Sequence, residues 1–114
     1  MTDDDWLMVA GVDGVIEGSV TTVTVGDREI ALYHLPGDEF RASDNICTHE
    51  YARLSEGWLE DGAIECPLHA GRFDIRTGKG LCAPITNDLQ VFEVKVMEGH
   101  IFIKMPSVAR EGSG

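Results

Sequence analysis

Polar and apolar residues alternate through Thr22-Val23-Thr24-Val25, the pattern of a half-buried strand. Gly26-Asp27 follows as a two-residue hairpin turn, and Arg28–Leu35 returns from it. That second run is apolar on both faces, with Ile30 and Leu32 on one side and Ala31, Tyr33 and Leu35 on the other. A strand with two apolar faces belongs in the interior, so this one is expected to be central. Pro36-Gly37-Asp38 is a turn signal, and Glu39–Ala42 is expected to come back as a third strand. The scheme repeats near the C-terminus. Phe92, Val94 and Val96 alternate with Glu93 and Lys95, Glu98-Gly99 turns the chain, and Ile101–Lys104 returns. The pattern predicts an all-β protein.

Between the two β blocks lies a segment of different character, Asp44 to Asp88. It holds all three cysteines and many turn residues. Small β domains need an insertion this rich in loops when the loops hold something. Tyr51 to Leu59 has a helical look, but Gly57 and its short length place it with the loops. The chain therefore divides into a base, 1–43 and 89–106, and a binding subdomain of about 44–88. A small, polar tail covers 107–114, and all of it forms one domain of 1–114.

Composition narrows the chemistry. Twenty acids against nine bases leave a net charge of −11, which speaks against nucleic acid as a partner, since phosphate binding draws on Lys and Arg. The same charge would steer the protein towards basic partners. No apolar run approaches the roughly 20 residues of a membrane span. Met1 to Asp5 holds three acids and no basic residue, unlike a secretory signal. A cytoplasmic location follows as the expectation, with the cysteines used for metal or catalysis.

One constellation stands out: Cys47-Thr48-His49, then Cys66-Pro67-Leu68-His69 after sixteen residues. Each half offers one thiolate and one imidazole. A tetrahedral zinc ion takes two Cys and two His, but structural zinc sites pair like with like at longer spacing. Here each pair is mixed and the first is separated by one residue. Cys47 and His49 then point to the same side of an extended loop and can reach two adjacent irons. The set suits a [2Fe–2S] cluster with two Cys on one iron and two His on the other.

With Asp44-Asn45-Ile46 before it, Gly71-Arg72-Phe73-Asp74 and Thr77-Gly78-Lys79 after it, and Leu81-Cys82-Ala83-Pro84 beyond, this motif resembles the Rieske signature. It is most similar to the ferredoxin components of bacterial aromatic-ring-hydroxylating dioxygenases, naphthalene type. The resemblance implies a Rieske fold of three stacked antiparallel sheets with a loop-rich cluster-binding subdomain. It implies one cofactor, a [2Fe–2S] cluster bound by Cys47, His49, Cys66 and His69, with the histidines on the outer iron. It also implies a function without catalysis: one electron at a time passes from an NAD(P)H-dependent flavin reductase to a terminal oxygenase. A Cys₂His₂ zinc protein and a Rieske subunit of another reductase are the competing readings. The carrier is expected to be a monomer.

Departures from relatives sharpen the picture. Respiratory Rieske proteins carry a disulfide between the two loops, and the matching positions here are Ala52 and Leu68. Gly71 and Phe73 stand where those proteins place hydroxyls near the cluster. Glu50 and Tyr51 follow His49 and suit a docking rim. Cys82 is expected to be a small buried hydrophobe, Pro84 a loop stiffener, and His34 and His100 packing or surface residues. Trp6 and Trp58 are expected in the core or as loop anchors, Arg72 and Asp74 as an ion pair, and Glu56, Glu60 and Asp61 as a solvated acidic face. Fewer donors to the cluster sulfurs place the midpoint potential near the low end of the Rieske range, roughly −150 mV. Voltammetry checks this, and a midpoint well above zero contradicts it.

Overall fold

The computed structural model describes residues 6–46, 52–67, 71–81 and 88–105. Nine strands appear among them: β1 (Trp6–Gly11), β2 (Val20–Val25), β3 (Arg28–Leu35), β4 (Glu39–Asp44), β5 (Trp58–Glu60), β6 (Ala63–Glu65), β7 (Arg72–Asp74), β8 (Val91–Met97) and β9 (His100–Lys104). All pairings between strands are antiparallel. Six strands run in the order β1-β9-β8-β4-β3-β2, and three in the order β5-β6-β7. The larger sheet folds into two halves, because β4 and β8 share only the pairs Ala42–Phe92 and Ser43–Val91.

Three layers result, and β3 is the middle of them. Ala31, Tyr33 and Leu35 join one apolar cluster with Leu54, Ile64, Phe73 and Ile75 of the small-sheet side. Ile30 and Leu32 join another with Ala42, Phe92, Ile101 and Ile103. The doubly apolar run is central, as its pattern predicts. Each large side chain fully removed from water here contributes about 1.5–3 kcal/mol. Tyr33 buries its hydroxyl against the Ser43 hydroxyl at 2.8 Å, which satisfies both groups. Burial pushes the Tyr33 phenol up, so it stays neutral.

One strand is additional and one expectation changes. Trp6–Gly11 is a strand, with a bulge between Met8 and Ala10 that breaks any alternation a sequence pattern could show. The stretch Tyr51 to Leu59, expected as loop, contains a 3₁₀ turn (Leu54–Glu56) and the first two residues of β5. Asp61-Gly62 joins β5 to β6 with both residues at positive φ, 52° and 78°, the geometry of a primed hairpin turn. Glu98-Gly99 does the same between β8 and β9.

Ion pairs fasten the small sheet to the base. Arg76 places Nε and Nη2 on the two Glu39 oxygens, both at 2.9 Å, and Arg41 Nε donates to Glu39 at 2.7 Å. Arg76 and Arg41 together hold the Glu39 carboxyl down at about 2. At the other end of the Pro36–Asp38 turn, His34 meets the Val15 carbonyl at 2.8 Å and the Asp38 carboxylate at 3.1 Å. Burial opposes its charge, but these two acceptors outweigh burial and raise the His34 pKa.

The two groups act with opposite sign. Glu39 stabilises the fold above the ordinary carboxylate range, and this is lost as pH falls from 4.5 to about 2. His34 stabilises below 6.5, and its contribution is lost as pH rises through the raised value. Urea denaturation across pH is expected to show both slopes in the parent. Glu39→Gln should have a shallower acid slope, with the Glu29 part remaining, and His34→Gln should lack the other.

Candidate metal centre

Three hydrogen-bonded stems lie within residues 45–54, 66–71 and 78–89, and the first two flank the candidate ligands in the chain. The first is closed by a bridge between Ile46 and Arg53 and by the Leu54 N–H on the Asn45 carbonyl at 2.7 Å. Asn45 is the hub there. Fully buried, it donates from Nδ2 to Glu29 (3.1 Å) and Thr22 (3.3 Å) and accepts the Ser55 N–H on Oδ1 (2.8 Å). Glu29 in turn receives the Arg53 guanidinium at 2.8 and 3.1 Å, and Arg53 and Asn45 together lower its pKa. A buried amide with all these partners holds the chain two residues before Cys47 in one place. Only its position in the sequence motif pointed to Asn45; its role comes from strands that the sequence does not juxtapose.

The second stem is closed by the Cys66 N–H donating to the Gly71 carbonyl at 2.7 Å. Cys66 is 1% exposed and packs in the apolar cluster with Ala52, Leu54 and Phe73. The third stem is tied to the second, since the Leu81 N–H donates to the Arg72 carbonyl (2.8 Å). It closes on itself through Leu89 N–H to Gly78 O (2.6 Å) and Gly80 N–H to Asp88 (3.1 Å).

Of the four expected ligands, Cys66 belongs to the described residues, and Cys47, His49 and His69 lie outside them. So do Glu50, Tyr51, Leu68, Cys82 and Pro84. Among the described residues no three His, Cys, Asp or Glu gather to hold a metal ion. What can be tested at Cys66 fits a cluster ligand. Its thiol sits in an apolar, water-shielded pocket on a hydrogen-bonded loop stem, where a thiolate needs a cation to be stable.

Other expectations divide. His34 is buried and His100 exposed, as packing and surface residues should be. Glu56, Glu60 and Asp61 are all exposed. Trp58 is 60% exposed, so it is not a core residue; it stands on the open face of a three-residue strand. Trp6 is half-buried and lies under the Lys95 ammonium at 4.5 Å. Arg72 and Asp74 do not pair. Asp74 turns back to accept the Arg76 and Thr77 N–H groups (2.8 and 3.3 Å). Among the described residues Arg72 Nε is shielded from water and has no hydrogen-bond partner.

The Rieske [2Fe-2S] domain family matches residues 5–93. The chain belongs to the Rieske family. Its cofactor is accordingly a Rieske-type [2Fe–2S] cluster. The ferredoxin component of the naphthalene 1,2-dioxygenase/salicylate 5-hydroxylase systems of Ralstonia sp. is 48% identical over 101 residues, 89% of this chain and 96% of that protein. The ferredoxin component of the naphthalene 1,2-dioxygenase system of Pseudomonas putida is 46% identical over 88% of this chain and 95% of its own. Among solved structures, the complex of reduced oxygenase and oxidized ferredoxin in carbazole 1,9a-dioxygenase contains a chain with TM-score 0.81 and 40% identity. That match covers 90% of this chain and 94% of the other. The three-layer fold expected from the resemblance is the one observed.

Gly57 tests how tightly the stems are fitted. A Cβ there would run into the Glu65 carbonyl oxygen and stand 3.2 Å from Pro67 Cδ. Gly57→Ala is expected to cost about 1–3 kcal/mol by overpacking. Because the push falls on the second stem, iron bound per chain should drop with stability. Denaturant melts and iron assay on the same preparation check this.

Proposed function

We propose that Cys47, His49, Cys66 and His69 hold the [2Fe–2S] cluster, the two cysteines on one iron and the two histidines on the other. The protein is an electron carrier, not an enzyme: the ferredoxin component of an aromatic-ring-hydroxylating dioxygenase system, delivering electrons to the terminal oxygenase. The observation that carries this reading is the Cys-x-His and Cys-x₂-His pattern in a Rieske chain that spans 96% of a ferredoxin component.

When bound, the cluster accepts and returns one electron, and the neutral imidazoles make that reduction easier than four thiolates would. The chain does the rest. Asn45 and the Arg53–Glu29 pair set the first loop stem, and the Cys66–Gly71 hydrogen bond sets the second. Exposed Glu56, Glu60 and Asp61 add to the net charge of −11, which attracts basic docking patches. We assign the electron donor as an NAD(P)H-dependent flavin reductase, the location as cytoplasmic, and the carrier as a monomer that offers one tip to two partners in turn. Among the described residues no helix is long and apolar enough to cross a membrane. The division into a base, 1–43 and 89–106, a cluster-binding subdomain, about 44–88, and a tail, 107–114, is part of the same proposal.

Purified protein should be EPR-silent as oxidised and gain a rhombic Rieske-type signal with dithionite, with two irons and two sulfides per chain. Cys66→Ser is expected to lose both, whereas Cys82→Ala keeps them. Raising ionic strength should slow electron transfer to the oxygenase. A colourless protein carrying one zinc would overturn the assignment.

A further inference from the structure

The small sheet has two faces of opposite character. Leu59, Ile64 and Phe73 form the row that packs into the core against β3. The register sets Trp58, Glu65 and Arg72 side by side in the next row, on the other face. Leu81 extends that row, because Phe73 bridges to Gly80 and the Leu81 N–H donates to the Arg72 carbonyl at 2.8 Å. At the usual spacing of about 4.8 Å between strands, the four residues span roughly 14 Å. The two ends of the row are apolar and open, Trp58 being 60% and Leu81 50% exposed. Among the described residues Trp58 is the most exposed aromatic. Glu65 and Arg72 between them are half-buried.

The row lies at the end of the sheet where the second ligand pair begins. Cys66 and Gly71, joined by their 2.7 Å hydrogen bond, are the next step of the β6–β7 register beyond Glu65 and Arg72. His69 lies between them in the chain. Gly57, directly before Trp58, is fitted so closely that a Cβ would stand 3.2 Å from Pro67 Cδ. The backbone that carries Trp58 is therefore packed against the second stem.

Composition sets this row apart. Single exposed apolar residues are ordinary, but tryptophan and arginine are the types that most often dominate the energy of a protein interface. Acids border the row: Glu56 and Glu60, each two residues from Trp58, are exposed. A second copy of the chain would bring these acids, and a further net charge of −11, against their equivalents, so charge opposes self-association here. An apolar depression bordered by Lys and Arg on another protein fits.

We propose that the outer face of the small sheet anchors the terminal oxygenase, with Trp58 and Leu81 entering apolar ground on its surface and the bordering acids meeting basic side chains. This rests on the proposed function, in which the oxygenase takes the electron. Docking on this row sets the partner beside the stem of the loop that carries Cys66 and His69. Trp58 is a binding residue and has no part in holding the cluster.

The test uses purified holoproteins with iron, sulfide and EPR measured first: the parent, Trp58→Ala, Trp58→Phe, Leu81→Ala and Met8→Ala. Met8 is 58% exposed on β1, an edge strand of the larger sheet, and serves as a control of similar exposure. Calorimetric titration gives the Kd for the terminal oxygenase, and stopped flow gives the rate at which dithionite-reduced ferredoxin reduces it. Trp58→Ala is expected to raise Kd roughly thirtyfold and Leu81→Ala about fivefold. Trp58→Phe should keep most of the affinity and Met8→Ala all of it, with the EPR signal and midpoint unmoved throughout. Loaded Trp58→Ala and Leu81→Ala with the parent Kd would overturn the inference, also where only the step from the reductase slows, which would give the face to the reductase. So would loss of iron in Trp58→Ala together with parent affinity in Leu81→Ala, or a parent dimer in sedimentation that Trp58→Ala abolishes. A parent without iron and sulfide would instead remove the proposed function, and the anchor with it.

Discussion

β3 has no face turned to solvent. Ile30 and Leu32 enter the cluster shared with β4, β8 and β9, while Ala31, Tyr33 and Leu35 enter the one shared with the small sheet. A strand buried on both sides needs cover above and below, and one folded-over sheet supplies only half of it. The β5-β6-β7 sheet supplies the remainder. Three strands of three residues each are too short to be stable alone. Their order depends on Ile64 and Phe73 packing onto β3. Cluster-side architecture and core are therefore one cooperative unit.

That dependence explains where the polar links lie. Arg76 on Glu39, Arg53 on Glu29, Thr22 on Ser55 and Asn45 on Thr22 and Glu29 all run between the base and the segment that carries the ligand motif. Apolar contact is non-directional and would tolerate sliding of one layer over another. Hydrogen bonds of defined geometry remove that freedom. A carrier benefits in a specific way: the stems at residues 46, 66 and 71 stay fixed while the charge of the centre changes.

Charge is distributed with the same economy. Glu56, Glu60 and Asp61 stand exposed, and among the described residues no ion pair engages them. Carboxylates that hold layers together are engaged by arginine.

Local alternation determined much of this protein. The β2–β3 hairpin, the return through β4, the β8–β9 hairpin and the central place of β3 follow from period-two patterning and short turns, and the Cys-His pairs announce a mixed-ligand cluster through residue type and spacing alone. The Asp61-Gly62 turn was legible too, but the strands it joins are three residues long, too short for a period to register. What tertiary structure decided is everything that depends on distant residues meeting. It made Trp6–Gly11 a strand by pairing it with β9, left Trp58 exposed, and turned Asn45 from a motif neighbour into a buried hub. It also separated Arg72 from Asp74. Periodicity reports which side of an element faces inward, whereas hydrogen-bond partners and ion pairs depend on which elements the core brings together.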